Sequence, residues 1–138
     1  MKDLVFDSVV IGGGAAGMAA ALELDRAGFS CAIVEREEAL GGILTQCIHN
    51  GFGLIEFNEE LSGPEFAERI EERLAGTGIT SFTGATVMEL DASGDTKTLY
   101  CYTGAHGVMR LSARVVVLAM GCRERNRGNI RIPGDRPA

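Results

Sequence analysis

The sequence predicts an α/β fold around a central parallel sheet, and three observations predict it. Residues Asp7 to Glu35, DSVVIGGGAAGMAAALELDRAGFSCAIVE, run in the order strand, glycine turn, helix, strand, acid. A second amphipathic helix is announced at Ser62 and leads into a short strand at Ile79–Phe82. Val115-Val116-Val117-Leu118 is apolar without alternation, the pattern of a strand covered on both faces.

In the first unit Val9, Val10 and Ile11 form the buried strand. Gly12 lets the chain turn sharply out of it. Gly14 has no Cβ, so a pyrophosphate has room beside the backbone, and Gly17 allows close packing of helix on sheet. The helix mouth supplies unpaired N–H groups and the positive end of a dipole. Gly28 stops the helix, and Cys31 to Val34 form the next strand. Glu35 closes that strand where a carboxylate takes hydrogen bonds from both hydroxyls of a ribose. A glycine turn alone is weak evidence; between a strand and a helix, and answered by an acid, it is a dinucleotide fingerprint of the Rossmann-like kind. A 2′-phosphate would face Glu35, so these residues point to FAD or NAD rather than NADP and do not separate the first two.

With 138 residues, 46% of them hydrophobic, the chain is sized for one ordinary domain. Its net charge of −6 argues against a nucleic-acid surface. No apolar run approaches the roughly 20 residues of a membrane span. With no cleavable leader pattern in MKDLVFDSVV, a cytoplasmic location is expected. Cys31, Cys47, Cys101 and Cys122 form no C-x-x-C pair and no metal-ligand spacing, and His49 and His106 add none. Cys31 and Cys101 read as packing residues, and His106 as a solvated hairpin tip.

Residues 36–61 form a long glycine-rich connection whose apolar residues argue for a packed segment. Within it Gly41–Gly42 permits a second close approach of backbone, and Asn50–Gly51 signals a turn. Ser62, Pro64 and Glu65 make a capping signature; Phe66, Ile70 and Leu74 share one face, and Glu65 is spaced to pair with Arg69. Thr86–Leu90, Lys97–Tyr102 and Val108–Leu111, split by glycine turns, read as a three-stranded antiparallel β-meander. The Val115 strand follows and ends in Ala119-Met120-Gly121. Cys122 then opens an arginine-dense tail with Arg123, Arg125, Arg127, Arg131 and Arg136.

With these residues in place, the chain resembles the N-terminal part of flavoproteins with two dinucleotide-binding domains, the pyridine nucleotide–disulfide oxidoreductase group. GGILTQCIHNGFG and GCRER…IPGDRPA look closest to bacterial FAD-dependent oxidoreductases that work beside glycerol-3-phosphate dehydrogenases or in amino-acid and sarcosine oxidation. The resemblance implies an FAD site. Gly12, Gly14, Ala15, Ala16 and Gly17 hold the pyrophosphate, Glu35 the adenosine ribose, and Arg36 lies beside the adenine. Gly42 and Thr45 run past the pyrophosphate and ribityl chain, Val87 meets the adenine edge through its backbone, and Ala119 and Gly121 give close backbone. Met120 stands where the group carries a threonine, so that hydroxyl is absent. Cys47 stands alone where disulfide reductases of the group carry two cysteines. It is the weak candidate for a catalytic residue, and dithiol–disulfide chemistry is not expected.

The resemblance also implies that residues 1–121 are a partial FAD-binding domain, with the C-terminal part of the fold missing. Residues 122–138 would then begin a linker toward an absent NAD(P)H-binding domain, the only place where NAD or NADP is expected. The piece alone is expected to be inactive. An unpaired sheet edge beside the Gly12 or Val115 strand is expected to drive self-association. A dehydrogenase partner subunit fits the subgroup. Two other functions compete: a non-catalytic dinucleotide-binding subunit and an NAD-linked dehydrogenase domain. The meander speaks against the last, because plain NAD-binding domains continue there with helical crossovers.

Overall fold

The computed structural model describes residues 1–122 and Arg131. The rest of the arginine tail expected to begin a linker lies outside the described residues. Strand β1 (Lys2–Ile11), helix α1 (Ala15–Arg26) and strand β2 (Cys31–Val34) form the first unit. After a connection come β3 (Asn50–Phe52), α2 (Leu54–Phe57), β4 (Leu61–Ser62) and α3 (Gly63–Ala75). Strands β5 (Thr80–Phe82), β6 (Ala85–Asp91), β7 (Lys97–Thr103) and β8 (Gly107–Leu118) complete it.

The main sheet has the order β5-β2-β1-β8-β7-β6. Strands β5, β2, β1 and β8 run parallel, and β8, β7 and β6 alternate in direction. The register sets Ile11 beside both Val34 and Leu118, and Val34 beside Phe82. The carboxyl ends of the four parallel strands therefore line up along one edge of the sheet. From β1 the chain crosses to β2 on one side, while β8 arrives on the other. That reversal of strand order is where open α/β sheets leave a crevice.

Alternation sorts the side chains into two cores. Val10 and Ile33 face α1 and α3, against Met18, Ala21, Leu22, Ile70 and Leu74. Val9, Ile11, Ala32 and Val34 face the meander, against Leu99, Cys101, Met109 and Leu111. Both β1 and β2 are thus covered on two sides, which is why they carry unbroken apolar runs. Cys31 and Cys101 are buried packing residues, as their surroundings in the sequence imply. Burial pushes the Cys101 thiol up to about 11.

Several local expectations change. The third meander strand and the Val115 strand are one element. β8 pairs with β7 from Thr103↔Gly107 to Lys97↔Ala113 and with β1 along its length to Leu118. Leu111-Ser112-Ala113-Arg114 contains no glycine or proline to break it. Consequently β1 has a neighbour on each side, and of the two strands expected to leave an open edge β8 is the one that does. Beyond Ala113 no strand among the described residues pairs with its side away from β1. Val115 and Leu118, 51% and 59% exposed, mark that edge.

Asn50–Gly51 lies in β3 rather than in a turn, with Gly51 at φ +124°. The hairpin formed by β3 and β4 organises the glycine-rich connection that the sequence reads as a packed segment. At α3, Glu65 accepts the Ser62 N–H and the Ser62 hydroxyl, each at 2.7 Å. Arg69 pairs not with Glu65 but with Glu59, at 2.8 Å. The Glu65 carboxylate is taken up by the capping contacts from Ser62.

Candidate functional site

The carboxyl edge of the sheet gathers backbone from three distant parts of the chain. Gly12 takes φ +104° and donates its N–H to the Val34 carbonyl at 2.9 Å. A Cβ there would lie 2.3 Å from the Ala119 carbonyl oxygen, so Gly12 is required by the loop after β8 as well as by the turn. Ala119 in turn donates to the Ile11 carbonyl at 2.8 Å. At Gly17 a Cβ would come within 1.8 Å of the Gly12 carbonyl oxygen and 3.3 Å of Val10 Cγ1. The close approach expected there is made by helix on turn first and helix on strand second.

Gly14 differs. It caps α1 in an extended conformation, and the nearest atom to a Cβ built there is Gly42 Cα, at 4.0 Å. Nothing in the fold demands glycine at that position, and the space in front of it is open. The first intrahelical bond runs from Met18 N–H to the Gly14 carbonyl, 2.9 Å, and no side chain caps the N–H groups ahead of it. Ala15 and Ala16 are exposed at the same mouth.

Glu35 is 7% exposed at the end of β2, beside the turn. Its Oε2 accepts the Gly13 N–H at 2.6 Å, and its Oε1 accepts the Glu37 N–H at 2.9 Å. A carboxylate offers about four lone-pair sites, so each oxygen keeps one free. Gly13 and Leu40 belong to the same cluster and were not among the residues expected from the sequence, whereas Gly41 makes the close backbone approach read from Gly41–Gly42. Gly13 carbonyl accepts the Gly41 N–H at 2.8 Å, Gly14 and Gly41 form an isolated parallel bridge, and Leu40 Cδ2 would meet a Gly13 Cβ at 2.4 Å. The available signal was Leu40 directly before Gly41–Gly42 (an apolar residue ending an acidic run).

Gly42, at φ +54°, lies against the turn; a Cβ there would be 3.1 Å from Gly14 Cα. Thr45 turns its hydroxyl back to the Gly42 carbonyl, 2.9 Å. The start of β6 is tied to the same region, since Ala85 N–H donates to the Glu35 carbonyl and Gly84 N–H to the Glu37 carbonyl, both 2.8 Å. Val87 follows two residues on, its side chain packed on the meander core. Arg36 is exposed and its Nε lies 3.2 Å from Glu37 Oε1. Met120 is exposed and Gly121 takes φ +69°, both at the open end of β8. The half-buried Cys47 sits apart, at the foot of α3, where its carbonyl accepts the Gly63 N–H at 2.8 Å. His106 is exposed at the β7–β8 turn.

These groups fit a dinucleotide: an open space before an uncapped helix mouth, a glycine whose missing Cβ the fold does not use, and a buried carboxylate with acceptor capacity in reserve. The fold and the site define a dinucleotide-binding α/β domain.

Residues 7–62 match the family model described as FAD binding domain. A thioredoxin reductase of Aquifex aeolicus is 32% identical over 89% of this chain and 36% of its own length. The hydrogen cyanide synthase subunit HcnB of Pseudomonas protegens is 31% identical over 86% of this chain and 25% of its own. The crystal structure of a Streptococcus pyogenes thioredoxin reductase superposes with a TM-score of 0.73 at 29% identity, over 88% of this chain and 37% of that one. The chain thus spans between 25% and 37% of the length of these relatives. Over most of its own length the chain is similar to a part of these proteins, and residues 7–62 carry the FAD-binding pattern.

Proposed function

We propose that the chain is the adenosine-side FAD-binding part of an FAD-dependent oxidoreductase. The observation that carries this is the open space at Gly14, with the α1 mouth on one side and buried Glu35 on the other. The N–H groups of Gly14, Ala15 and Ala16 take the pyrophosphate, and the free lone pairs of Glu35 take the ribose hydroxyls. Arg36 lies beside the adenine, Val87 meets its edge through backbone, and Gly42, Thr45, Ala119 and Gly121 lie along the cofactor. Gly12 and Gly17 serve by shaping the turn. When bound, the flavin ring supplies the redox chemistry, which the protein orients and tunes. Residues 1–121 are then a partial domain that lacks turnover alone, with NAD or NADP held by another part of the protein.

Cys47 standing alone bears on disulfide chemistry only within these residues, because the chain spans about a third of the thioredoxin reductases it matches. Its place at the foot of α3 supports a packing role. That one relative is a subunit of a synthase supports a partner subunit for this protein as well. The open β8 edge supports self-association. No helix among the described residues is long and apolar enough to cross a membrane, and its free thiols support a cytoplasmic location. The competing reading, a non-catalytic nucleotide-binding subunit, is favoured only by the absence of an assigned catalytic side chain.

Titrating the chain with FAD and with ADP by calorimetry tests the proposal. Saturable binding of both is expected, with NADP excluded. Absence of any adenine-nucleotide affinity in the intact polypeptide would sink it. Purification of the longer protein free of flavin colour would favour the non-catalytic subunit.

A further inference from the structure

We infer that Glu35 is a positioning residue for the phosphate cradle as well as a contact for the sugar. The inference rests on the proposed FAD site and concerns how that site is held in shape.

Three observations converge. The Glu35 carboxylate is buried, and its shortest hydrogen bond, 2.6 Å, goes to the Gly13 N–H inside the glycine turn. Its other oxygen holds the Glu37 N–H at 2.9 Å, in the connection that leads to Leu40 and Gly41. The Gly13 carbonyl is held from that same connection by the Gly41 N–H at 2.8 Å. One carboxylate therefore links both backbones that flank the open space at Gly14. Hydrogen bonds to an ionised acceptor are among the stronger ones, and a buried N–H left without its acceptor is costly.

The Gly13 N–H is thereby withdrawn from the phosphates, leaving those of Gly14, Ala15 and Ala16 to face them. Fixed by Glu35, Gly13 carries Gly14 into position before any ligand arrives, so the donors need no rearrangement on binding. A residue that touched only the ribose would leave the turn unchanged when removed. Glu35 acts on phosphates it does not touch, through Gly13.

The test separates sugar from phosphate by comparing ADP with 2′,3′-dideoxy-ADP, which lacks the hydroxyls Glu35 would contact. In Glu35→Ala, affinity for dideoxy-ADP is expected to fall by about tenfold or more, although this ligand offers Glu35 nothing to bind. If dideoxy-ADP binds wild type and Glu35→Ala equally, the positioning role is refuted while the ribose contact stands. If wild-type protein binds neither nucleotide, the FAD site itself fails, a distinguishable result. Should Glu35→Ala not fold, the ligand-free wild-type chain decides. Its Gly13 amide proton is expected far downfield and slow to exchange, moving upfield in Glu35→Gln. An ordinary shift with free exchange overturns the inference.

Discussion

The glycines of the first turn have different jobs, and substitution tells them apart. A methyl group at Gly17 would press against the Gly12 carbonyl at 1.8 Å, and neither backbone can retreat without opening the turn. Gly17→Ala is expected to cost about 3 kcal/mol of stability, read as a lower denaturant midpoint. Gly14→Ala places its Cβ 4.0 Å from its nearest neighbour at φ −76°, so stability should hold within about 0.5 kcal/mol. The same methyl enters the space assigned to the diphosphate, and ADP affinity should fall more than about tenfold. Unchanged affinity would move the phosphates elsewhere. The thiols divide in the same way. Cys101 is fully buried with its thiol at about 11, so a native-state thiol reagent should leave it and buried Cys31 unmodified while labelling exposed Cys122.

At the scale of the element, α3 and the β1–β2 unit carry a shared dependence on pH. Hydrogen bonds from Ser62 hold the Glu65 carboxyl below its ordinary range, and those from Ser30 do the same for Asp7. A carboxylate whose pKa is depressed on folding contributes stability above its unfolded value, and that contribution is lost as pH falls through the folded one. Stability should therefore drop as pH is lowered below about 4, and Asp7→Asn should flatten that limb. Both carboxylates are at the surface, so the effect is a slope in the denaturant midpoint rather than unfolding at one pH. Ser62→Ala removes the capping hydroxyl and should cost about 1 kcal/mol at neutral pH. The capping was legible from Ser62, Pro64 and Glu65 because it is local. The Arg69 partner was not, because Glu59 lies ahead of β4 and outside the helix that carries Arg69.

At the scale of the molecule, β8 joins meander and parallel sheet in one strand and leaves its last residues paired on one side. Backbone groups and the exposed apolar side chains Val115 and Leu118 share that edge. Two copies of the chain are expected to associate there, seen as a concentration-dependent mass in sedimentation. Val115→Lys, a charge on an exposed edge position, should shift the mass toward the monomer. A monomer at every concentration for the unaltered chain would exclude the edge as an interface. The same strand shows the reach of pattern reading: alternation and turn glycines located Lys97–Tyr102 and Val108–Leu111, but not the absence of a break after Leu111.

The sequence alone determined what depends on neighbours in the chain: the β–turn–α–β–acid order, the caps of α1 and α3, the meander, and the class of ligand that Gly12, Gly14, Gly17 and Glu35 suit. Such features follow from backbone freedom and short-range hydrogen bonding, which a local pattern encodes. Only the tertiary structure decided that Gly13 and Leu40 join the candidate site, that Ala119 stands against Gly12, and that Glu35 grips the turn. Those facts come from parallel pairing, which brings the ends of β1, β2 and β8 together across long stretches of chain. No local pattern records which carbonyl will face which glycine once the sheet has formed.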